Sequence, residues 1–164
     1  MAAVDHPRVA EVRRALAGAG VAGEVRELPA RAGTAVAAAE LLGVEVGAIA
    51  NSLVFEAAGH PVLVLTSGAH RVDTGKVATL LGVPALSRAS ADFVREHTGQ
   101  AIGGVAPVGH PAPIGTLVDV TLARHPRVWA AGHPCTVFPT TYDELLRITD
   151  GTPAEVDAEQ EVPR

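Results

Sequence analysis

A chain of 164 residues, 48% of them hydrophobic, has material for one domain around a single core. Its formal charge of −5 excludes broad electrostatic capture of a nucleic-acid backbone, which needs many Lys and Arg contacts to release counterions, so an RNA partner would have to be gripped locally. The lone Cys135 excludes an internal disulfide, and the lack of a basic-then-apolar N-terminus or a long apolar span predicts a cytoplasmic protein with no membrane contact.

With three Phe, one Tyr and one Trp, the interior must be built from Ala, Val and Leu. Asp5 is placed to start a helix with Pro7 in its first turn, followed by Val9, Val12 and Leu16 at helical spacing and ended by Gly18 and Gly20. Val25 to Leu28 reads as a short strand. Thr34 then caps an alanine-rich helix to Leu42, with Gly43 as its left-handed stop. Ser52 to Glu56 and Pro61 to Thr66 flank Ala57-Ala58-Gly59-His60 as a hairpin. The strands' near-continuous apolar runs predict burial on both faces.

Asp73 caps a helix through Leu81, and Ser90 caps another through His97. Ile114 to Val120, Arg127 to Ala131 and Pro134 to Phe138 read as further strands, and Thr141 with Glu144 forms a capping box for a last helix through Arg147. From Asp150 the chain turns acidic and proline-containing. The expected organisation is a domain over 1–149 and an acidic mobile tail over 150–164, which would repel RNA. The fold class is α+β: a single domain with a curved, mixed, mostly antiparallel sheet of about six strands flanked by helices.

The helix ending near His97 delivers the chain into Thr98-Gly99-Gln100-Ala101-Ile102-Gly103-Gly104-Val105-Ala106-Pro107-Val108-Gly109-His110. Four glycines and a proline in so short a run are costly unless the backbone itself is needed. Adjacent glycines let successive N–H groups converge on an anion or a developing oxyanion, with Pro107 stiffening the exit and Gly109 releasing it. A lone Gly-Gly is more often a tight turn between strands. No Gly-Lys-Ser/Thr follows, and the glycine spacing does not fit a dinucleotide fingerprint.

Seven histidines are present, none at the close helical spacing of zinc ligands, so no metal site and no cofactor is predicted. Most read as exposed loop residues, with His110, which leaves the glycine loop, the exception to test. Ser52 and Ser67 lack a Gly-x-Ser-x-Gly elbow and read first as strand-end hydroxyls. Cys135 reads as a small core hydrophobe. Asn51, before the first hairpin strand, either fastens a turn or contacts a ligand.

Several segments resemble the YbaK-like aminoacyl-tRNA deacylases, or prolyl-tRNA editing domains. They are Thr34-Ala35 leading to Ala38-Ala39-Glu40-Leu41-Leu42-Gly43-Val44, then Ile49-Ala50-Asn51-Ser52-Leu53-Val54-Phe55, Val62-Leu63-Val64-Leu65-Thr66-Ser67-Gly68, His70-Arg71-Val72-Asp73 and the Gly103-to-Gly109 loop. They keep the family's order across roughly Val25 to Arg147. The resemblance implies a freestanding trans-editing hydrolase that cleaves the ester of a mischarged aminoacyl-tRNA, with tRNA for proline by analogy and an association with an aminoacyl-tRNA synthetase. Its chemistry would be attack by water or by the substrate's own side chain, with the Gly103 and Gly104 amides holding the oxyanion.

Under the resemblance, Gly103, Gly104 and Asn51 form the catalytic set, and Ser52, Ser67, Arg71, Thr98, Pro107, Gly109 and His110 the substrate-binding set. Asn51 stands where relatives carry a lysine that positions the 3′-terminal nucleotide through its phosphate. A neutral amide predicts weaker phosphate affinity, unless Arg71 or Lys76 supplies the charge. Two alternatives follow from Asn51: a catalytically weakened module binding an aminoacyl-adenosine or amino-acid-like ligand, or a hydrolase of small acyl esters.

Overall fold

The computed structural model describes residues 6–21, 24–30, 34–100, 105–133 and 135–157. Among these, eight strands form one mixed sheet: β1 (Arg26–Glu27), β2 (Ile49–Ala57), β3 (His60–Ser67), β4 (Leu86–Arg88), β5 (Gly115–Asp119), β6 (Val128–His133), β7 (Thr136–Thr140) and β8 (Thr152–Ala154). The path is β1-β7-β6-β2-β3-β5-β8, with β4 also on β2. The β1–β7, β2–β3, β2–β4 and β6–β7 pairs are antiparallel, whereas β2–β6, β3–β5 and β5–β8 are parallel.

The helices are α1 (Pro7–Gly18), α2 (Ala35–Leu42), α3 (Thr74–Leu81), α4 (Ala91–Thr98) and α5 (Tyr142–Thr149). Thr34, Asp73, Ser90 and Thr141 each accept a backbone N–H from their own helix's first turn, as their positions before the apolar periods predict. The α1 N-cap is His6, whose Nδ1 accepts from the Arg8 N–H at 3.2 Å; Asp5, expected in that role, lies outside the described residues. The capping box at α5 is half-made. Glu144 leaves the Thr141 backbone and accepts from Thr140 Oγ1 at 2.6 Å.

Ala58 and Gly59 join β2 to β3 with positive φ angles of 51° and 84°, the two-residue turn whose twist matches an antiparallel pair. The sheet is two strands larger than expected. One addition is β4. The other comes from the supposed tail: Thr152–Ala154 pairs in parallel with β5, and Val156, fully buried, joins the core beside Val64 and Val77. The Asp73 N–H donates to Val156 O at 2.8 Å, and Val72 bridges Asp157. The acidic composition masks an alternation, Ala154 and Val156 inward with Glu155 outward, that begins at the last residue paired with β5. The rest of the expected tail, 158–164, lies outside the described residues.

Residues Val62 to Ser67 of β3 are buried throughout, as its apolar run predicts. The β2 strand departs from that expectation. Its Asn51, Ser52, Leu53 and Val54 are only half-buried, and Asn51 lies within the strand rather than before it. Pairing explains both. Along one edge β2 follows β3 from Ala50 to Ala57; along the other it meets β6 at Ile49 and Ala50 and β4 at Phe55 to Ala57. On that second edge, between β6 and β4, Asn51 to Val54 have no strand partner among the described residues, so the sheet is split there.

Candidate functional site: a cavity at the split in the sheet

A cavity of about 770 Å³ opens at the split. Every residue from Ile49 to Phe55 lines it, so the unpaired edge of β2 is one wall. Because alternate N–H and C=O groups along a strand point away from its partner, this edge offers backbone donors and acceptors to whatever enters. The other walls come from three core clusters: Leu28, Ala38, Trp129 and Val137 from one, Ala89, Val94 and Val105 from a second, and Val72 beside Phe55 from the third. Arg26 lies over the Trp129 ring, with its guanidinium carbon 5.1 Å from the ring centroid.

Asn51, Ser52 and Arg71 meet in this cavity. Arg88, carried on β4, lines it too. Both arginines are exposed, and neither forms an ion pair among the described residues, so two guanidinium groups are available at the site. Lys76 is elsewhere, with its Nζ donating to Asp157 O at 3.0 Å. Asn51 makes no side-chain hydrogen bond among the described residues; the turn-fastening role weighed for it has no partner here.

The remaining expected residues have other work. Gly103 and Gly104 lie outside the described residues, while Val105, immediately after them, lines the cavity. Thr98 caps its own loop, with Oγ1 donating to Val94 O at 2.7 Å and accepting from the Gln100 N–H at 2.9 Å. Buried Gln100 then clamps the far side of the loop. Its Oε1 accepts from the Ala106 N–H at 2.6 Å and its Nε2 donates to Val108 O at 3.2 Å.

Pro107 is buried, and Gly109, at φ +85°, sits so close to α1 that an added Cβ would lie 3.4 Å from Val12 Cγ2. His110 Nε2 lies 2.8 Å from Ala106 O; burial holds its pKa below the ordinary histidine value, which that hydrogen bond only partly opposes. Ser67 ties the turn after β3, its Oγ donating to Gly47 O at 2.9 Å. Gly68 lets that turn close: a Cβ there would sit 2.5 Å from Val46 O.

Arg88, Trp129, Thr136 and Gln100 were not singled out from sequence. Arg88 reaches the cavity by a nonlocal strand pairing, and Gln100 acts across a loop, which residue spacing does not reveal. Among the described residues, no group of three His, Cys, Asp or Glu side chains could hold a metal ion, and no helix is long and apolar enough to cross a membrane.

The aminoacyl-tRNA editing domain family matches residues 30–148. A crystal structure of a candidate trans-editing enzyme for prolyl tRNA synthetase superposes with a TM-score of 0.88 at 43% identity, covering 94% of this chain and 99% of that one. The uncharacterised protein YwhH of Bacillus subtilis (strain 168) is 35% identical over 109 residues, 66% of this chain and 69% of its own. The proline–tRNA ligase of Maridesulfovibrio salexigens is 33% identical over 97 residues, which are 57% of this chain but only 16% of the ligase.

Proposed function

Because this chain belongs to the aminoacyl-tRNA editing domain family, we propose that it is a trans-editing hydrolase that deacylates mischarged aminoacyl-tRNA, with the tRNA for proline as its RNA. The observation that carries the reading is the cavity at the split in β2, where an unpaired strand edge, Asn51 and two uncommitted arginines converge. The cavity's volume suits an aminoacyl group with its terminal ribose. The chemistry is addition of water, or of the substrate's own side-chain nucleophile, to the ester carbonyl, followed by loss of the ribose oxygen. The Gly103 and Gly104 amides are the proposed oxyanion donors.

Asn51 hydrogen-bonds the terminal nucleotide in this reading, and Arg71 with Arg88 supplies the positive charge that Asn51 lacks. Such a local grip is compatible with a net charge of −5. Translation places the protein in the cytoplasm, where association with an aminoacyl-tRNA synthetase would bring it its substrate.

Deacylation of a panel of charged and mischarged tRNAs tests the proposal. Release of a mischarged amino acid from the tRNA for proline, with prolyl-tRNA spared and Arg71→Ala slower, is expected. No hydrolysis of any aminoacyl-tRNA by folded protein would reject it.

A further inference from the structure

The open edge of β2 presents a fixed row of main-chain groups to the cavity. Ala50 stands opposite Ser67, and the Gly68 N–H donates to Ile49 O at 2.8 Å, so the odd-numbered residues of β2 turn their N–H and C=O toward β3. The even-numbered residues turn theirs the other way, toward β6 at Ala50 and toward β4 at Glu56. Ser52 and Val54, between those two pairings, therefore aim their N–H and C=O groups into the split. No backbone hydrogen bond takes up these groups among the described residues.

The edge is reachable. Ser52 is only half-buried although its Oγ is buried, so what it shows to the cavity is backbone and Cβ. On both faces of the sheet the walls around the split are apolar. Alternation places Val54 on one face, where Val94 and Val105 of its core cluster line the cavity, and Leu53 on the other, where Trp129 and Val137 line it. An occupant of the split thus lies in the plane of the sheet between two apolar layers, with one hydrogen-bonding edge along β2. Those are the demands of a flat heteroaromatic ring. No carboxylate of the described residues lines the cavity, and Arg88 stands opposite Phe55 at one end of the open edge, so a neutral ring carried by a phosphate also matches the charge.

We infer that the adenine of the tRNA's 3′-terminal nucleotide docks on this edge in place of a strand, its amino group donating to the Ser52 carbonyl and its N1 accepting from the Val54 N–H. This rests on the deacylase reading above, which brings the terminal ribose into the same cavity. At about 770 Å³ the cavity has room for the base as well. The Ser52 carbonyl and the Val54 N–H are consecutive along the open edge, an acceptor and then a donor. Adenine sets a donor beside an acceptor on its Watson–Crick edge and complements them, whereas hypoxanthine, guanine and uracil reverse both. Cytosine shares adenine's pattern, but the base on the aminoacylated ribose is adenine.

The test is titration calorimetry with the trinucleotide CCA and with the same trinucleotide ending in inosine, which separates base reading from hydrolysis. CCA is expected to bind about tenfold tighter or more, since two hydrogen bonds are lost and like groups face each other in the inosine form. Val54→Pro removes an N–H that no strand uses, at an edge position where sheets tolerate proline, and should narrow that ratio; Val54→Ala keeps the N–H and the ratio. Thermal melting checks that both variants fold. Amide NMR of the unaltered protein supplies a second reading, in which CCA should shift the Val54 N–H resonance more than the inosine form does. Equal affinities, binding of neither trinucleotide, an unchanged ratio in folded Val54→Pro, or a Val54 amide that ignores CCA would each overturn the inference. A preference for CCA with no ester hydrolysed keeps the base site and rejects the deacylase reading alone.

Discussion

His70 Nδ1 lies 2.8 Å from Oδ2 of Asp119, a carboxylate wholly buried at the end of β5. The same carboxylate accepts from the Ser67 N–H at 3.0 Å, Thr66 Oγ1 at 3.3 Å and, through Oδ1, the Thr121 N–H at 2.9 Å. Burial alone would raise its pKa, but the Ser67 and Thr121 amides and the His70 ring outweigh that, holding it below the ordinary carboxylate value. Ionised Asp119 can only accept, so the proton between the pair belongs on His70 Nδ1. The ring's Nε2 is 3.8 Å from Asp157 Oδ2, so His70 also meets the C-terminal segment beyond β8.

Asp119→Asn should therefore destabilise the fold. An amide cannot accept from every one of these donors, and breaking a buried charged network costs about 3–5 kcal/mol. Urea denaturation at neutral pH checks the size. The wild-type contribution is present above the unfolded carboxylate pKa and lost as pH falls through the depressed folded one. The variant's stability should consequently depend less on pH across the acid range, and an unchanged acid profile would remove Asp119 from this role.

The caps of α2, α3, α4 and α5 were readable because each is a contact within one turn, between a Ser, Thr or Asp side chain and an N–H three residues on. The site was only partly readable. Asn51, Ser52 and Arg71 come from segments with recognisable patterns, yet the split that exposes them depends on which strands flank β2, and β6 joins it from about eighty residues away. Periodicity reports that a strand has two faces and says nothing of where its edge is left open. Thr136 illustrates the gap, since a threonine in a strand is unremarkable until its hydroxyl is found buried without a hydrogen bond among the described residues. The β8 strand was hidden differently: it is three residues long, with only Ala154 buried, inside a segment of acidic, proline-containing composition.

Gln100 should act as a positioning residue. It is buried and bonded to the backbone at both Ala106 and Val108, so it fixes the residues that follow the Gly103-Gly104 segment in sequence. Gln100→Leu keeps volume and removes both bonds. Deacylation kcat should fall roughly tenfold to a hundredfold, the scale of a small misplacement of catalytic groups, with KM changing much less. A pure loss of stability, with kcat unchanged for the folded fraction, would contradict this.

His110 predicts a second pH effect, of the same sign as that of Asp119 but arising from burial of a neutral ring. Its folded pKa is lowered by burial, so the unfolded chain binds the proton more readily. Stability is then full above the unfolded histidine pKa of about 6.5 and declines as pH falls toward the folded value. His110→Gln should remove the decline in stability as pH falls below about 6.5 in the same denaturation series. A wild-type curve already flat across that window would refute the assignment.

The charge at the cavity yields the last prediction. Among the described residues, uncharged Asn51 has no side-chain hydrogen bond, and Arg71 and Arg88 line the same cavity without ion pairs. If the arginines hold phosphate of the tRNA 3′ end, Arg71→Ala should weaken binding and reduce the slope of log K against log salt by about 0.7, the value for one single-strand phosphate contact. Asn51→Lys adds a cation and should move affinity and slope the other way. A charged hydrogen bond is worth roughly 1.5–3 kcal/mol against about 1 for a neutral one. That gain is expected in KM before kcat, because binding shared by ground and transition states does not speed the chemical step. Proximity to two guanidinium groups will favour the neutral amine in a new lysine, so the benefit should shrink as pH rises. Titrations with an aminoacylated 3′-end analogue, over salt and pH, measure all three quantities. Salt slopes that do not respond to either substitution would mean that the phosphate is held away from this cavity.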